Sequence, residues 1–384
     1  MLLENKTNLC SGCGACSCAC PKQCISMQTD HEGFLYPIID HSVCVSCGRC
    51  EHVCPVLNQP AVSAETSSYA VISNYEQVRA KSSSGGVFSL LADYVLEKGG
   101  KVYGAAYNES FAVEHICIDS PDQIPRLQGA KYSQSHAFEH FNKIKGELEE
   151  GTYVLFVGTP CQAAALRSYL GKDYETLILT DMICHGVPSP MIWKRYLDAR
   201  VKKDAPGSSI KNINLRDKSS GWSKYSYSVE IDYSDGNKYL VRQGDDLYLQ
   251  GFVRNLYLRP SCAECSFKGY QRCTDFTLAD CWGIWDISPE MDDNKGTSLL
   301  MVHSSKGRMI WETLSEQARF QELSEEDSIR QNGSAVNSSA PHPERDSFFK
   351  EAESNDDMIG LINKKLNPQP ENRLKSLLSR LRRK

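Results

Sequence analysis

The segment Cys10-Ser-Gly-Cys13-Gly-Ala-Cys16-Ser-Cys18-Ala-Cys20-Pro21 contains the spacing C-x2-C-x2-C-x3-C, followed directly by proline. The same spacing returns in Cys44-Val-Ser-Cys47-Gly-Arg-Cys50-Glu-His-Val-Cys54-Pro55, with Asp30 to Asp40 in the connection between the two copies. Two copies of one pattern indicate an internal duplication. We therefore predict that residues 1–58 fold as one small module.

The spacing of these cysteines is typical of iron–sulfur ligation, in which three thiolates of one repeat and the fourth of the other repeat bind one [4Fe–4S] cluster. This rule predicts two clusters, one held by Cys10, Cys13, Cys16 and Cys54 and the other by Cys44, Cys47, Cys50 and Cys20. Zinc is the alternative, but zinc sites use two C-x2-C pairs rather than two triplets each followed by C-P. Cys18 and Cys24 fall outside the spacing and are expected to be buried thiols without a role.

The composition is that of a globular protein, with 41% apolar and 24% charged residues in a chain of 384 residues. A net charge of −5 favours neither nucleic acid nor acidic lipid as a partner. There is no apolar run of membrane-spanning length and no secretory signal at Met1 to Lys6. We therefore predict a cytoplasmic protein, a compartment in which clustered cysteines serve as metal ligands rather than disulfides.

The rest of the chain divides by pattern into a linker at residues 59–68, a domain at 69–186, a further domain at 187–350 and a basic tail at 351–384. Strands alternate with helices up to Met182, which predicts a mostly parallel sheet covered on both faces. Tyr225 to Tyr233 alternates at period two and precedes a turn and Lys238 to Arg242, which predicts a β-hairpin. The predicted fold class is thus multidomain α+β/α/β, with a small bacterial-type ferredoxin module, an α/β domain and a C-terminal part containing the hairpin.

Leucines at helical spacing mark the end of the chain, where they alternate with basic residues. They are Leu374, Leu377, Leu378 and Leu381. We expect a solvated terminal helix, and the alternative is peripheral contact with an acidic membrane surface or an acidic partner.

Two predicted strand-to-helix junctions, Ser82 to Gly86 and Gly158 to Gln162, could present backbone amides to a ligand. The N-terminus of a helix suits phosphate, although a Ser-Ser-Gly-Gly run is also an ordinary helix start. The chain has neither G-x-G-x-x-G nor a Walker loop, so a standard nicotinamide-binding fold is not indicated.

A second group of cysteines lies in the C-terminal half, where Cys262-Ala-Glu-Cys265 could seed another cluster. A zinc knuckle or ordinary core thiols are the alternatives, because no C-x2-C-x2-C triplet occurs there. Cys273 and Cys281 follow, and Cys161 and Cys184 precede the pair. His185 adjoins Cys184 and a Gly-Val-Pro turn, which makes it a candidate for proton transfer, with a structural role as the alternative.

Over residues 1–350 the chain resembles the beta subunit of coenzyme F420 hydrogenase and dehydrogenase, preceded by a two-cluster ferredoxin module. The motifs that carry the resemblance are Lys81-Ser-Ser-Ser-Gly-Gly-Val-Phe88, Gly129-Ala-Lys-Tyr132, Val157-Gly-Thr-Pro-Cys-Gln162, Asp181-Met-Ile-Cys-His-Gly-Val-Pro-Ser-Pro190, Asn255-Leu-Tyr-Leu-Arg-Pro-Ser-Cys262 and Ala279-Asp-Cys-Trp-Gly283. Relatives read Asp-Phe-Trp-Gly at the last motif, so Cys281 occupies an aromatic position and is not assigned as a ligand.

The resemblance implies an α/β domain that binds FAD and a further [4Fe–4S] cluster close to the flavin. The implied flavin contacts are Ser84, Gly85, Gly86, Lys131, Tyr132, Gly158, Thr159 and Cys161. The implied cluster ligands are Cys262 and Cys265, with Cys184 and Cys161 as further candidates.

The predicted function is that of an FAD-dependent iron–sulfur oxidoreductase that passes electrons between clusters and flavin. Coenzyme F420 or another small organic hydride donor or acceptor would react at the flavin, and a ferredoxin or a hydrogenase or dehydrogenase subunit would be the redox partner. A non-catalytic electron-relay subunit is the first alternative. A regulatory protein whose clusters sense oxygen or iron is the second.

Overall fold

The computed structural model describes residues 7–367. Its strands are β1 (Ile25–Thr29), β2 (Leu35–Ile39), β3 (Ser67–Ser73), β4 (Lys101–Tyr107), β5 (Val113–Ile118), β6 (Val154–Val157), β7 (Leu177–Met182), β8 (Ile210–Asp217), β9 (Ser228–Tyr233), β10 (Lys238–Arg242), β11 (Phe276–Asp280), β12 (Ser298–Val302) and β13 (Ala318–Leu323).

The α-helices are α1 (Ala15–Ala19), α2 (Arg49–His52), α3 (Glu76–Lys81), α4 (Val87–Leu96), α5 (Ile124–Leu127), α6 (Phe141–Glu149), α7 (Pro160–Leu170), α8 (Pro190–Asp204), α9 (Leu247–Val253), α10 (Ile284–Ile287), α11 (Ser305–Ser315), α12 (Glu325–Ile329), α13 (Arg345–Ala352) and α14 (Met358–Leu366). Short 3₁₀ segments occur at Thr7–Leu9, Pro121–Gln123, Ala137–His140, Pro260–Glu264, Pro289–Met291 and Gly333–Ala335.

The N-terminal module repeats its structure as it repeats its sequence. Helices α1 and α2 each follow a glycine in the left-handed conformation, Gly14 at φ 73° and Gly48 at φ 72°. Glycine is suited to this position because it has no Cβ to oppose a positive φ. Strands β1 and β2 pair antiparallel between the two copies, with Ile25 opposite Ile39. Residues 59–66 then form no helix or strand, and β3 begins at Ser67.

An eight-stranded sheet forms the body, in the order β13-β3-β12-β11-β7-β6-β4-β5. The four neighbouring strands β11, β7, β6 and β4 are parallel, whereas the pairs that flank them are antiparallel. The prediction of a mostly parallel sheet therefore holds for the centre, and the whole sheet is mixed. No sequence pattern indicated β13, because this edge strand, Ala318–Leu323, is mostly polar and exposed between its buried ends.

Both faces of the sheet are buried, as alternate residues of its central strands point to opposite sides. Leu155 and Ile178 pack on one face against α4 and α11. Phe156 and Leu179 pack on the other face against α6 and α7, and this second core also contains Ala15 and Val53 of the N-terminal module. The module therefore rests on the face of the sheet covered by α7.

The sheet takes strands from both sides of residue 186, where the sequence suggested a domain boundary. Between β7 and β11 the chain leaves the sheet and forms α8, the antiparallel strands β10-β9-β8 and α9. The predicted hairpin is present as β9 and β10, with Ser228 opposite Arg242. Residues 187–275 are thus better described as an insertion between two strands of one sheet.

The C-terminal helix α14 belongs to the core rather than to a tail, because Met358, Leu361 and Ile362 are buried against α8 and α9. The basic tail predicted at residues 351–384 is therefore corrected as far as residue 367. The leucines from Leu374 to Leu381 lie outside the described residues. None of the helices within residues 7–367 combines the length and apolar character needed to cross a bilayer.

Candidate functional site

Four thiols from the two repeats surround one cavity in the N-terminal module. They belong to Cys10, Cys13, Cys16 and Cys54, and the apolar Met27, Val56 and Leu57 complete the wall. The Gly12 amide points at Cys10 Sγ at 3.4 Å. Burial, together with the neighbouring Cys10 and Cys54, raises the pKa of Cys13 to about 12. The structure thus gathers the four cysteines that the crossed-repeat rule groups together.

A second cavity gathers Cys20, Cys44, Cys47 and Cys50, the other set that the rule predicts. Cys47 is exposed, so this cavity is the one nearer to solvent. The Ser46 amide points at Cys44 Sγ at 3.4 Å. Cys24 also lines this cavity, with its Sγ 3.4 Å from Cys20 Sγ, whereas Cys18 donates to the Phe138 carbonyl at 3.3 Å, outside both cavities.

A third cavity lies in the body and is lined by Cys161, Cys184, Cys262 and Cys265. Cys161 is in the first turn of α7, Cys184 follows β7, and Cys262 lies in the 3₁₀ segment Pro260–Glu264. The Val187 amide points at Cys262 Sγ at 3.3 Å, and the Thr159 hydroxyl lies 3.2 Å from Cys161 Sγ. Cys161, which the resemblance implied as a flavin contact, therefore lies with the other three thiols.

The remaining C-terminal cysteines lie elsewhere. Cys281 is 1% exposed in an apolar core, and its amide donates to the Thr297 carbonyl at 2.8 Å. Cys273 is half-buried and does not line the third cavity.

The thiols in all three cavities suit a multi-iron core. Within residues 7–367 no three Cys, His, Asp or Glu side chains converge on a point as the ligands of a single ion do. The thiols instead stand around cavities. Burial raises the pKa of Cys161 to about 12 and also raises that of Cys262, so a metal that bound these thiols would have to displace their protons.

The first and third cavities adjoin each other, although their cysteines are far apart in sequence. Ser11 lines both, and Cys161 is close enough to Cys13 for their charges to interact. Arg259 lines the third cavity and donates from Nε to the Cys10 carbonyl at 2.7 Å. The second cavity adjoins the first because Cys16 packs in one cluster with Cys50, so the three cavities follow one another from the exposed edge of the module into the body.

Lys131 and Tyr132 lie where the central parallel strands end, the edge at which such sheets bind ligands. Lys131 Nζ is 6.0 Å from the ring centre of Tyr107, the last residue of β4. The Tyr132 ring stacks on Phe252 with centres 4.9 Å apart. Burial lowers the pKa of Lys131 to about 7, while its Nζ donates to the Gln128 carbonyl at 2.6 Å.

Several of the buried polar atoms that have no hydrogen-bond partner within residues 7–367 lie near Tyr132, and others lie elsewhere. Those near Tyr132 are the Tyr107 hydroxyl, Ser133 Oγ, Arg216 Nε and Asp280 Oδ1. Arg216 and Asp280 face each other at 3.1 Å, and the Arg216 guanidinium stands over the Tyr227 ring at 4.0 Å. Buried polar atoms are normally paired, so water or a bound group is expected to complete the hydrogen bonds of these atoms. We use the name edge crevice for this group of residues around Tyr132.

The Ser84 to Gly86 loop reaches the edge crevice through Lys218, whose Nζ donates to the Ser84 carbonyl at 2.9 Å. The Gly85 amide donates to Ser298 Oγ at 2.9 Å, so it is already used within the protein. A Cβ on Gly85 would lie 2.2 Å from the Val71 carbonyl oxygen. Packing against β3 and β12 therefore requires the glycine at this position.

The junction at Gly158 and Thr159 is likewise closed by internal hydrogen bonds. The Gly158 amide donates to the Thr180 carbonyl at 3.2 Å, and the Thr159 amide donates to Gln162 Oε1 at 2.9 Å in a capping box. Gln162 Nε2 donates in turn to the Ser135 carbonyl at 3.0 Å. The junction thus anchors the start of α7 to the segment that carries Lys131 and Tyr132.

His185 lines the third cavity and lies beside Phe252, the residue on which Tyr132 stacks. The His185 ring meets Phe252 edge-on with centres 5.1 Å apart. Asn255 Nδ2 donates to the Ala340 carbonyl, so Asn255 Oδ1 accepts from His185 Nε2 at 2.6 Å. Burial lowers the pKa of His185, which keeps the imidazole neutral at neutral pH.

Sequence reasoning missed several residues of the edge crevice. Arg216 and Lys218 come from the end of β8 and the turn after it, a stretch without a motif. Trp222 stacks on Trp282 at 4.9 Å and donates from its indole nitrogen to the Ser83 carbonyl at 3.2 Å. A basic pair followed by an aromatic residue is too common to have identified them.

Two parts of the chain match models of known protein families. Residues 9–58 match the family model described as a 4Fe-4S dicluster domain. Residues 151–328 match the family model for the C terminus of the coenzyme F420 hydrogenase/dehydrogenase beta subunit. The resemblance predicted from the sequence, including the iron–sulfur module that precedes the domain, is thereby confirmed.

One curated relative is the F subunit of the F(420)H(2) dehydrogenase of Methanosarcina mazei, which is 26% identical over 278 residues, covering 67% of this chain and 71% of the relative. A solved structure, described as "Xenon derivatization of the F420-reducing [NiFe] hydrogenase complex from Methanosarcina barkeri", matches with a TM-score of 0.45 and 16% identity. That match covers 80% of this chain and 90% of the other.

Proposed function

We propose that the chain is an iron–sulfur flavoprotein oxidoreductase. In this proposal the two thiol sets of the module and the third set each hold a [4Fe–4S] cluster. FAD occupies the edge crevice, where coenzyme F420 or another small organic hydride donor or acceptor reacts. The observation that carries the proposal is the series of three four-thiol cavities that ends beside a crevice of unpartnered buried polar atoms. Bound clusters would carry single electrons, and bound FAD would exchange two electrons with the substrate.

The proposed cluster and flavin sites lie at increasing depth below the protein surface. Cys47 is exposed at the outer end, and Ser11 separates the first set from the third. At the inner end, Phe252 contacts both His185, the neighbour of Cys184, and Tyr132 in the edge crevice. The arrangement keeps the inner sites away from solvent and leaves the outermost set open to a partner protein.

The edge crevice offers the kinds of groups that a flavin nucleotide requires. Tyr132 and Phe252 supply flat aromatic surfaces, and Arg216, Lys218 and Lys131 supply nitrogen donors whose hydrogen bonds phosphate oxygens would accept. His185, neutral and held by Asn255, would be placed to hold or pass a proton near the ring system.

One relative is named as a dehydrogenase subunit, which supports the proposal that this chain works with a partner protein. A non-catalytic electron-relay subunit is the alternative function. It is favoured by the amides of Gly85 and Thr159, which the sequence offered to phosphates but which are hydrogen-bonded within the protein.

The test is to purify the whole chain without oxygen and to measure its iron, sulfide and FAD. The proposal expects about twelve irons and about one FAD per chain after incubation with both. Reduced coenzyme F420 should then bleach the flavin absorbance, after which the cluster signals in EPR should appear. Iron without flavin, even after incubation with FAD, would favour the relay alternative. A chain that holds neither would contradict both.

A further inference from the structure

Arg259 is a buried cation with no carboxylate partner among the described residues. Its side chain is 2% exposed. Its guanidinium donates to three neutral oxygens, namely the Cys10 carbonyl at 2.7 Å, Gln134 Oε1 at 3.1 Å and the Leu35 carbonyl at 2.7 Å. None of the ion pairs within residues 7–367 involves it. A buried charge that is hydrogen-bonded but not neutralised is costly, so a neutralising group is expected nearby.

The position of Arg259 identifies that neutralising group. Its guanidinium bonds to the backbone of Cys10, a thiol of the first cavity, and its side chain lines the third cavity beside Cys262. A Cβ on Gly12 would lie 2.7 Å from Arg259 Nη1, so the first loop of the module is shaped around the cation. Thiolate-bound clusters in these two cavities would supply negative charge on both sides of the guanidinium.

Aromatic rings cover part of the Arg259 guanidinium, and Arg259 also lines a cavity of about 610 Å³ together with Asp30 and Glu264. The guanidinium stands over the Tyr36 ring at 4.4 Å and 5.3 Å from the Phe34 ring centre. In such surroundings the interaction between charges is much stronger than in water. A fixed positive charge favours the state of a neighbouring centre that carries one more electron.

We propose that Arg259 is a positioning residue and shared counter-ion for the first and third clusters, and that it raises the reduction potentials of both. This inference rests on the proposed function, because it requires clusters in the two cavities. It deepens that function by assigning to one side chain of the body the reduction potentials of a cluster in the module and a cluster in the body.

The experiment is an EPR-monitored redox titration of the whole chain, purified without oxygen, as the unaltered protein and as Arg259→Gln and Arg259→Lys. In Arg259→Gln we expect the potentials of the first and third clusters to fall. The expected fall is at least a tenfold change in the one-electron reduction equilibrium, which corresponds to about 59 mV. In Arg259→Lys, which keeps the charge, at least half of the shift should be recovered. The second cluster should keep its potential in both variants and serves as the internal control.

A second variant changes the charge beside Arg259 without removing the Arg259 side chain. Gln134→Glu is nearly isosteric and places a carboxylate at the group that accepts from Arg259 Nη1 at 3.1 Å. It should lower the same two potentials while the guanidinium remains. As a matched control, Arg195→Gln removes an arginine of α8 that also donates to backbone carbonyls, those of Ala352 and Asn355, and that lines neither the first nor the third cavity; it should leave the potentials unchanged.

The outcomes separate the inference from the proposed function. If the unaltered chain shows no cluster signals, the proposed function fails. If clusters are present but Arg259→Gln leaves both potentials unchanged, or shifts all three equally, the inference alone fails. If Arg259→Gln does not fold, Gln134→Glu decides, and unchanged potentials in that variant overturn the inference.

Discussion

The ring of Tyr132 stacks on the ring of Phe252, with centres 4.9 Å apart and planes at 29°. Phe252 also meets His185 edge-on, and His185 follows Cys184 of the third thiol set. A contact of two aromatic side chains thus joins the edge crevice to the third cavity. Residues 132, 185 and 252 come from three separate segments of the chain, so their meeting is a property of the folded protein.

The aromatic face of Tyr132 should contribute to flavin affinity. In Tyr132→Leu we expect the affinity for FAD to fall up to roughly tenfold, because aromatic stacking contributes about 0.5–1.5 kcal/mol beyond burial. Tyr132→Phe keeps the ring and is the control, with affinity expected within about twofold of the unaltered chain. Quenching of FAD fluorescence measures both. Unchanged binding by the leucine variant would place the flavin elsewhere.

Cys161 should be a ligand in the third cavity rather than only a neighbour of the flavin. Cys161→Ser is expected to lower iron content by about one third and to remove one EPR signal, because the third cluster loses a thiolate. Cys281→Ala, which removes a buried thiol outside the three cavities, is the control and should keep all the iron. Full iron content in Cys161→Ser would contradict the assignment.

A buried ion pair holds the module against α13. Arg345 Nη1 lies 2.9 Å from Glu32 Oε1, a second contact joins Nη2 to Oε2, and the two side chains are 9% and 11% exposed. Glu32→Gln leaves Arg345 with the fully exposed Asp346, at 3.8 Å, as its ionic partner among the described residues, and the free energy of unfolding should fall by up to about 3–5 kcal/mol. Denaturant titration of the cluster-loaded chain measures the change.

The control for this ion pair is Asp198→Asn, which breaks the exposed Lys194–Asp198 pair at 2.7 Å. Because exposed pairs contribute about 0–1 kcal/mol, this change should be small. If the two variants lost equal stability, the buried Glu32–Arg345 pair would contribute no more to the free energy of unfolding than an exposed pair.

His115 should make the fold sensitive to acid. Its two nitrogens bond to Ser135 Oγ at 2.8 Å and to the Val157 carbonyl at 3.0 Å, and burial lowers its pKa to about 4. Because the folded state disfavours the charged form, stability is full above the ordinary pKa of 6.5 and falls as pH decreases from about 6.5 to about 4. The loss over that window is roughly 3 kcal/mol.

The variant His115→Gln tests this prediction. Its unfolding free energy should depend less steeply on pH between about pH 7 and about pH 5 than that of the unaltered chain. Parallel pH profiles for the two proteins would show that His115 is not the group responsible.

Part of this protein could be predicted from the sequence because the relevant information is local. The spacing of Cys10, Cys13 and Cys16 places three thiols on one tight loop, and the repeat supplies a partner loop. The sequence was therefore enough to predict which cysteines form the first two thiol sets. The hairpin of β9 and β10 was predictable as well, because Tyr225 to Tyr233 alternates at period two before a turn. The family was recognisable from short motifs.

Other features were decided only by the tertiary structure. Cys161 and Cys184 join Cys262 because the carboxyl ends of β6 and β7 meet at one edge of the sheet, and no spacing in the sequence encodes that meeting. The same holds for Arg259 between two cavities and for Phe252 between Tyr132 and His185. Loop spacing constrains what a few adjacent residues can reach, whereas contacts between distant residues depend on how the whole sheet packs and where the insertion folds back.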